Sequence, residues 1–332
     1  MTIYNTFYNG WGRETTFGTS VINGVGSTAY LWGAEGTQSK YRIQSDTLFR
    51  PTGVNAREVP AGNAFKSQNI VTANIGVVMQ NGILLQAVLG KSSTAGAGPY
   101  THTITPYDDG TRLDSFTING EQLGTATNFP IQVTGAICGV LTLKYDLTPP
   151  AILLGQADFL CKKLQDGQVL TTKPQLPATA TTTHYDTFTR TFNSVALDGL
   201  KDIEITIDNG LDALFANTND AGTYTGMWCF SIAEAPRIQY EVRMLLHPST
   251  VEDDLFDEAV STGNTKDLVL KWQKASDTND YIQLTFSDCH ADTYEANIPS
   301  PVDDIMLHEV VMHPERLSVE VKDSIAGGLY GE

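Results

Sequence analysis

The chain carries one hydrophobic pattern twice. Val71, Ala73, Ile75 and Val77 alternate with Thr72, Asn74 and Gly76, as a strand with one buried face requires. Ile238, Tyr240, Val242 and Met244 repeat that alternation at an offset of 167 (71 to 238). Leu84, Leu85, Val88 and Leu89 have the spacing of one helix face, and Leu255, Phe256, Ala259 and Val260 return it at an offset of 171 (84 to 255). Phe116 and Ile118 answer to Leu284 and Phe286 (offset 168), and Phe159 and Cys161 more loosely to Val319 and Val321 (offset 160). What recurs is the order of apolar signals rather than residue identity, and it predicts two similar modules in tandem.

A chain of 332 residues is long enough for two modules, each with its own core. The predicted division is an N-terminal arm over 1–36, a first β-domain over 37–165, a linker over 166–185 and a second β-domain over 186–332. The linker is marked by Pro174, Pro177 and a Thr run. Lys and Arg number 21 against 38 Asp and Glu, a net charge of −17, with no run of three basic residues. That balance argues against holding nucleic acid through its phosphates. Cys138, Cys161, Cys229 and Cys289 lie far apart, three of them in apolar runs, so buried thiols are expected rather than a disulfide framework. The opening residues lack a basic start followed by an apolar stretch, and no window approaches the length of an apolar membrane span, so synthesis in a cytoplasm and no membrane contact are expected.

Most local signals are β. In Asp202 to Asp208, Ile203, Ile205 and Ile207 face one way and the acids and Thr206 the other; Arg237 to Met244 reads alike. Further strands are expected near Tyr41–Phe49, Ser115–Asn119, Val140–Tyr145, Ala157–Lys162, Leu268–Gln273, Tyr281–Phe286 and Leu317–Lys322, with turns at Asp109-Gly110, Asn119-Gly120 and Asp166-Gly167. One helix per repeat is expected, the second opening on a Ser249/Glu252 capping box and closing at Gly263. The fold class is therefore all-β, a sandwich or barrel with a flanking helix per domain. The N-terminal arm, the segment Lys91 to Tyr100 and the linker lie outside the repeated core as long loops, which usually carry contacts.

No catalytic, cofactor or metal site emerges, and no enzyme is expected. GKSS at Gly90–Ser93 lacks the glycine of a phosphate loop, Leu85 standing there instead, and Gly24-Val25-Gly26 has no third glycine. His308 and His313 are five apart, which suits neither one helix face nor one strand face. Asp108-Asp109, Asp253-Asp254 and Asp303-Asp304 are adjacent pairs suited to turns and helix starts, whereas acid–base pairs stand about 5 to 9 Å apart across a cleft.

The order EVPAGNAFKSQNIVTANIGVVMQNGILLQAVLG, PYTHTITPYDDGTRLDSFTING, VTGAICGVLTLKYD and a strand ending in CKKL, over roughly residues 58 to 164, resembles the major tail tube proteins of long-tailed bacterial and archaeal viruses. The echoes are the short helix ending at Leu89-Gly90, a variable loop, the strand with His102, the phrase Asp114 to Ile118 and the strand centred on Gly139. The resemblance implies a virion structural protein whose copies close into rings through their inner strands and stack into a tube. Double-stranded DNA and the tape-measure protein pass through such a tube; terminator and tip proteins bound it. A duplicated chain would supply two of six ring positions, hence a trimer with pseudo-sixfold symmetry.

An acidic bore would let DNA run without being held, and Asp146, Asp158, Glu204 and Asp208 are the candidates to line it, a merely solvated outer face being the alternative. Lys91, Ser92, Ser93, Thr94 and Tyr100 are the candidates for contact between stacked rings. Two other readings are a virion decoration or receptor-binding module and a β-sandwich carbohydrate-active hydrolase.

Overall fold

Period-two patterns dominate the sequence, and strands accordingly make up nearly all of the structure. The computed structural model describes residues 8–21, 29–32, 39–49, 64–107, 111–122, 129–147, 151–166, 185, 187–220, 223–234, 237–247, 266–275, 277–297 and 307–324. The fold is all-β. Its first half contains β1 (Tyr8–Arg13), β2 (Ala29–Trp32), β3 (Lys40–Phe49), β4 (Ala64–Val78), helix α1 (Ile83–Leu89), β5 (Gly90–Ala95), β6 (Tyr100–Pro106), β7 (Phe116–Gln122), β8 (Phe129–Asp146), β9 (Leu154–Cys161) and β10 (Lys163–Asp166). The second contains β11 (Thr187–Phe192), β12 (Val195–Ala196), β13 (Leu200–Asp208), β14 (Asp212–Asp220), β15 (Thr223–Ala233), β16 (Gln239–Leu246), β17 (Lys266–Lys274), β18 (Asp277–Asn297) and β19 (Leu307–Asp323).

A central sheet runs through both halves in the order β3-β4-β9-β8-β13-β16-β19-β18, every neighbour antiparallel. Two outer layers cover one of its faces. The first is β2-β1-β7-β8-β10, and the second is β12-β11-β17-β18-β19-β6-β5. β8, β18 and β19 belong to both layers because they are long enough to bend from one into the other. Register shifts mark the bends, at Cys138/Val140 on β8 and at Ala291/Thr293 on β18, where the extra residue lets the strand turn a corner. Gly135 sits at φ +63° before the first of these, and a Cβ there would meet Lys162 Cβ at 2.6 Å.

The layers meet in one continuous core. Trp11 of β1 lies edge-on to Phe159 of β9 (5.2 Å) and Phe116 of β7 (6.0 Å). In the second half, Trp272 of β17 stacks on Phe188 of β11 (4.8 Å) and meets Tyr145 of β8 edge-on (6.0 Å), so a first-half strand helps close the second-half core.

The sequence patterns placed β3, β7, β9, β13, β16, β17 and α1 within a few residues, but found only the ends of β8, β18 and β19 nearest one layer. Several expectations are corrected. The N-terminal residues are not outside the core: β1 and β2 extend the outer layer, and Trp11 is buried. Lys91 to Tyr100 is not one long loop. Lys91, Ser92, Ser93 and Thr94 lie in β5 and Tyr100 opens β6, with only 96–99 as a tip, because β6 finds a ladder partner in β19. Asn119-Gly120 is not a turn but the middle of β7; Gly120 is there because a Cβ would come within 2.7 Å of the Tyr41 hydroxyl.

The repeat frame also shifts. Aligned on the register shifts at Cys138/Val140 and Ala291/Thr293, Phe159 of β9 matches Met312 of β19 rather than Val319, and its ladder partner Ala73 matches Val242, so Val71 matches Tyr240 rather than Ile238. Phe116 and Ile118 of β7, at the register shift against β8, match Lys266 and Leu268 of β17, at the shift against β18, since Leu284 and Phe286 belong to β18, the counterpart of β8. The expected second helix (Ser249 to Gly263), Asp109-Gly110, the paired acids at 108, 253 and 303, and residues 167–184 of the linker lie outside the described residues.

Candidate functional site: the wet face and open edges of the central sheet

Alternation along each central strand sends one set of side chains into the core and the other to the opposite, wet face. Ile203, Ile205, Ile207, Val242, Met244, Leu141 and Leu143 are buried, while their neighbours are partly or fully exposed. Asp146, Asp158, Glu204 and Asp208 all lie on that wet face, on the adjacent strands β9, β8 and β13. The sheet adds Asp202, Glu241 and Glu309 to the same surface. Asp202 and Glu241 fall on the polar faces that alternation predicts for their strands, and Glu309 joins them because β19 lies beside β16.

Charges on this face are arranged in rows. Lys144 Nζ meets Glu204 Oε2 at 2.9 Å, and Arg243 pairs with Glu309, while Lys40 and Arg42 of β3 stand exposed on the same face. Asp158 accepts from the Asn74 amide, and Asp208 accepts from the Gly210 N–H at 2.7 Å. Asp146 stands directly opposite Asp202. Burial, and then the charge of Asp146, push the Asp202 carboxyl above the usual carboxylate range. The face is therefore rich in carboxylates, with two of its basic groups, Lys144 and Arg243, paired in place.

No protein-family model matches the chain, and no curated protein matches it either.

The two ends of the central sheet form the second part of the site. Among the described residues β3 pairs only with β4, and β18 from His290 to Asn297 pairs only with β19. Ile43 on β3 is 45% exposed although it lies opposite buried Val71. A bare edge of this length is a template for another strand.

Lys91, Ser92, Ser93 and Thr94 are brought together on β5, at the free side of the hairpin that β6 docks onto β19. Tyr100 faces Asp323 across the β6–β19 ladder. The hairpin is anchored by His102, which is fully buried: Nδ1 is 2.7 Å from Thr94 Oγ1 and Nε2 is 3.1 Å from Asp323 Oδ1. His308 and His313 point to opposite faces of β19, His308 toward Tyr294 Oη (2.6 Å) and His313 toward Asp292 (3.4 Å). Cys138, Cys161 and Cys289 are buried free thiols. A groove of about 470 Å³ runs between the halves past Leu113, Asn209, Glu234 and Arg237, where Glu234 already accepts from the Leu113 N–H (2.9 Å).

Proposed function

We propose that this chain is the subunit of a viral tail tube, and that three copies close into a pseudo-sixfold ring whose stacked rings conduct double-stranded DNA. The observation that carries the reading is the central sheet. It is one four-strand order, β3-β4-β9-β8, followed by the matching order β13-β16-β19-β18, joined through β8 and β13, and among the described residues no further strand pairs with β3 or with the far end of β18. A sheet of this kind removes its edges by closing through further copies. The sequence resemblance to tail tube proteins points the same way.

The wet face suits the lining of such a bore. A tube of many rings offers many equivalent positions, and even one unpaired cation per ring would sum to a strong, salt-sensitive grip on DNA, about 10³ to 10⁵ in affinity for 6 to 10 phosphate contacts. Lys144 and Arg243 are held by Glu204 and Glu309, and the exposed Lys40 and Arg42 of β3 are outnumbered by the seven carboxylates of this face. In this reading the chain is a virion protein without catalytic activity or cofactor, made in the host cytoplasm and bounded in the tube by tape-measure, terminator and tip proteins. The β5–β6 hairpin is the candidate contact between rings.

Electron microscopy of the purified full chain tests the proposal. Stacked rings with a central hole and three copies per ring are expected. Isolated trimers or monomers under all conditions would favour a decoration or receptor-binding module, and turnover of a polysaccharide would favour a hydrolase.

A further inference from the structure

The second outer layer ends on a row of polar side chains that face its core. Trp272, Ile282, Val321 and Ile104 fill that face of β17, β18, β19 and β6, and the next residues on the same face are Lys274, Asp280, Asp323 and His102. Lys274 Nζ is in hydrogen-bond contact with Asp280 Oδ2. Their side chains are only 15% and 20% exposed, against 58% and 40% for Lys144 and Glu204 on the wet face. One step past the Tyr281–Lys322 pair of the β18–β19 ladder, Asp280 comes beside Asp323, which is buried and held by His102 Nε2 at 3.1 Å. Tyr185 closes the row. It is fully buried, its ring lies 5.2 Å from Lys274 Nζ, and its hydroxyl bonds to the Asp280 carboxyl.

An ion pair withdrawn from water has a neutral alternative, amine beside carboxylic acid, because burial disfavours both charges. Burial raises the Asp280 carboxyl above its ordinary value; the hydrogen bond and charge of Lys274 oppose that shift, and the charge of Asp323 adds to it. Burial, and then the charges of Asp280 and Asp323, keep the Tyr185 phenol protonated and so able to donate. A hydrogen-bond contact holds Nζ within about 3.5 Å of the Asp280 Cγ, the separation of reacting atoms poised to combine. The row thus brings together an amine, an acid, a second carboxylate to carry a proton and a donor for developing negative charge.

We infer that Lys274 and Asp280 join in a self-formed isopeptide bond, with Asp323 as the proton carrier. The Lys274 ammonium first passes one proton to the Asp280 carboxylate, giving amine and acid. The Nζ lone pair then forms a bond to Cγ, while Tyr185 Oη donates to the oxygen that gathers charge. Asp323 takes a proton from the nitrogen and delivers it to the Asp280 hydroxyl, whose C–O bond breaks, and water leaves. One ammonium and one carboxylate become one amide and one water, with no oxidant or other reactant. His102 acts only by positioning Asp323. The bond closes the turn between β17 and β18 covalently, and it is independent of the tube reading.

Mass spectrometry of the purified full chain tests it. The intact protein is expected to be lighter than its sequence by one water. Dehydration at an Asp-Gly step would give the same mass, so the bond is placed by digestion: in the unfolded chain Lys274 should resist both trypsin and acetylation, unlike the other lysines. Lys274→Arg should restore the full mass. In chain freshly made by cell-free synthesis, Asp323→Asn should slow the loss of water by about tenfold or more. A protein of full mass whose Lys274 is cut and acetylated normally would overturn the inference, as would a missing water that maps to another residue. A Lys274–Asp280 bond that forms at the unaltered rate in Asp323→Asn would overturn the part given to Asp323.

Discussion

Glu14 shows how much one buried carboxylate can hold. It accepts from the Ser115 hydroxyl (2.8 Å), the Thr117 hydroxyl (2.9 Å), the Gly135 N–H (2.9 Å) and the Gly18 N–H (2.7 Å), tying the end of β1 to β7 and β8. Glu14→Ala strands these donors and is expected to cost about 2 to 4 kcal/mol in urea denaturation, with Glu14→Gln costing less. The His102–Asp323 contact joins residues 221 positions apart, and Asp323→Ala, which leaves a buried ring N–H without its acceptor, should cost about 1 to 3 kcal/mol and speed hydrogen exchange through β5 and β6. Asp202 has the opposite sign. Its folded-state carboxyl holds its proton above the ordinary value of 3.8, so folding loses stability as pH rises through that window and the cost is fully present at pH 7. Asp202→Asn is expected to raise the thermal midpoint at pH 7 and to leave it nearly unchanged at pH 3. None of these three roles was readable from sequence, because each depends on a partner at least 50 residues away or on an adjoining strand.

At the level of elements, alternation made β13 and β16 legible, since each has one buried and one wet face. It hid the length of β8, β18 and β19. β8 and β18 change layers at bulges, and the bulge breaks the period on which the reading depends. The Gly-rich arm and the KSSTAGAGP segment looked like loops because β1 and β5 have few apolar residues. They are strands because an edge was waiting for them on β7 and, through β6, on β19. The two halves also solve one packing problem differently. Leu270 on β17 corresponds to Gly120 on β7, while Ile205 on β13 corresponds to Tyr41 on β3, so the first half has one small and one large residue where the second has two of intermediate size. Gly120→Ala should therefore cost about 1 to 3 kcal/mol by overpacking against the Tyr41 ring, and Tyr41→Leu in the same chain should recover part of it, as a double-mutant cycle would measure.

For the whole molecule, the arrangement of charge on the wet face is the property that the tube reading depends on. Glu204→Lys combined with Glu309→Gln would release Lys144 and Arg243 from their carboxylates and add a cation. Assembled particles of that variant should retain DNA at about 50 mM salt and release it at about 200 mM, whereas the unaltered protein should retain little at either. The sequence by itself determined the all-β class, the position of α1, the doubling of the pattern and the acidity of the chain, because each of these is written in local periodicity or in composition. Only the tertiary structure decided that the four expected acids share one face with three more, that Lys144 and Arg243 among them are engaged, and that the halves fuse through β8 and β13. Strand pairing is a contact between distant segments, and period-two alternation says which way a side chain points without saying which strand lies beside it.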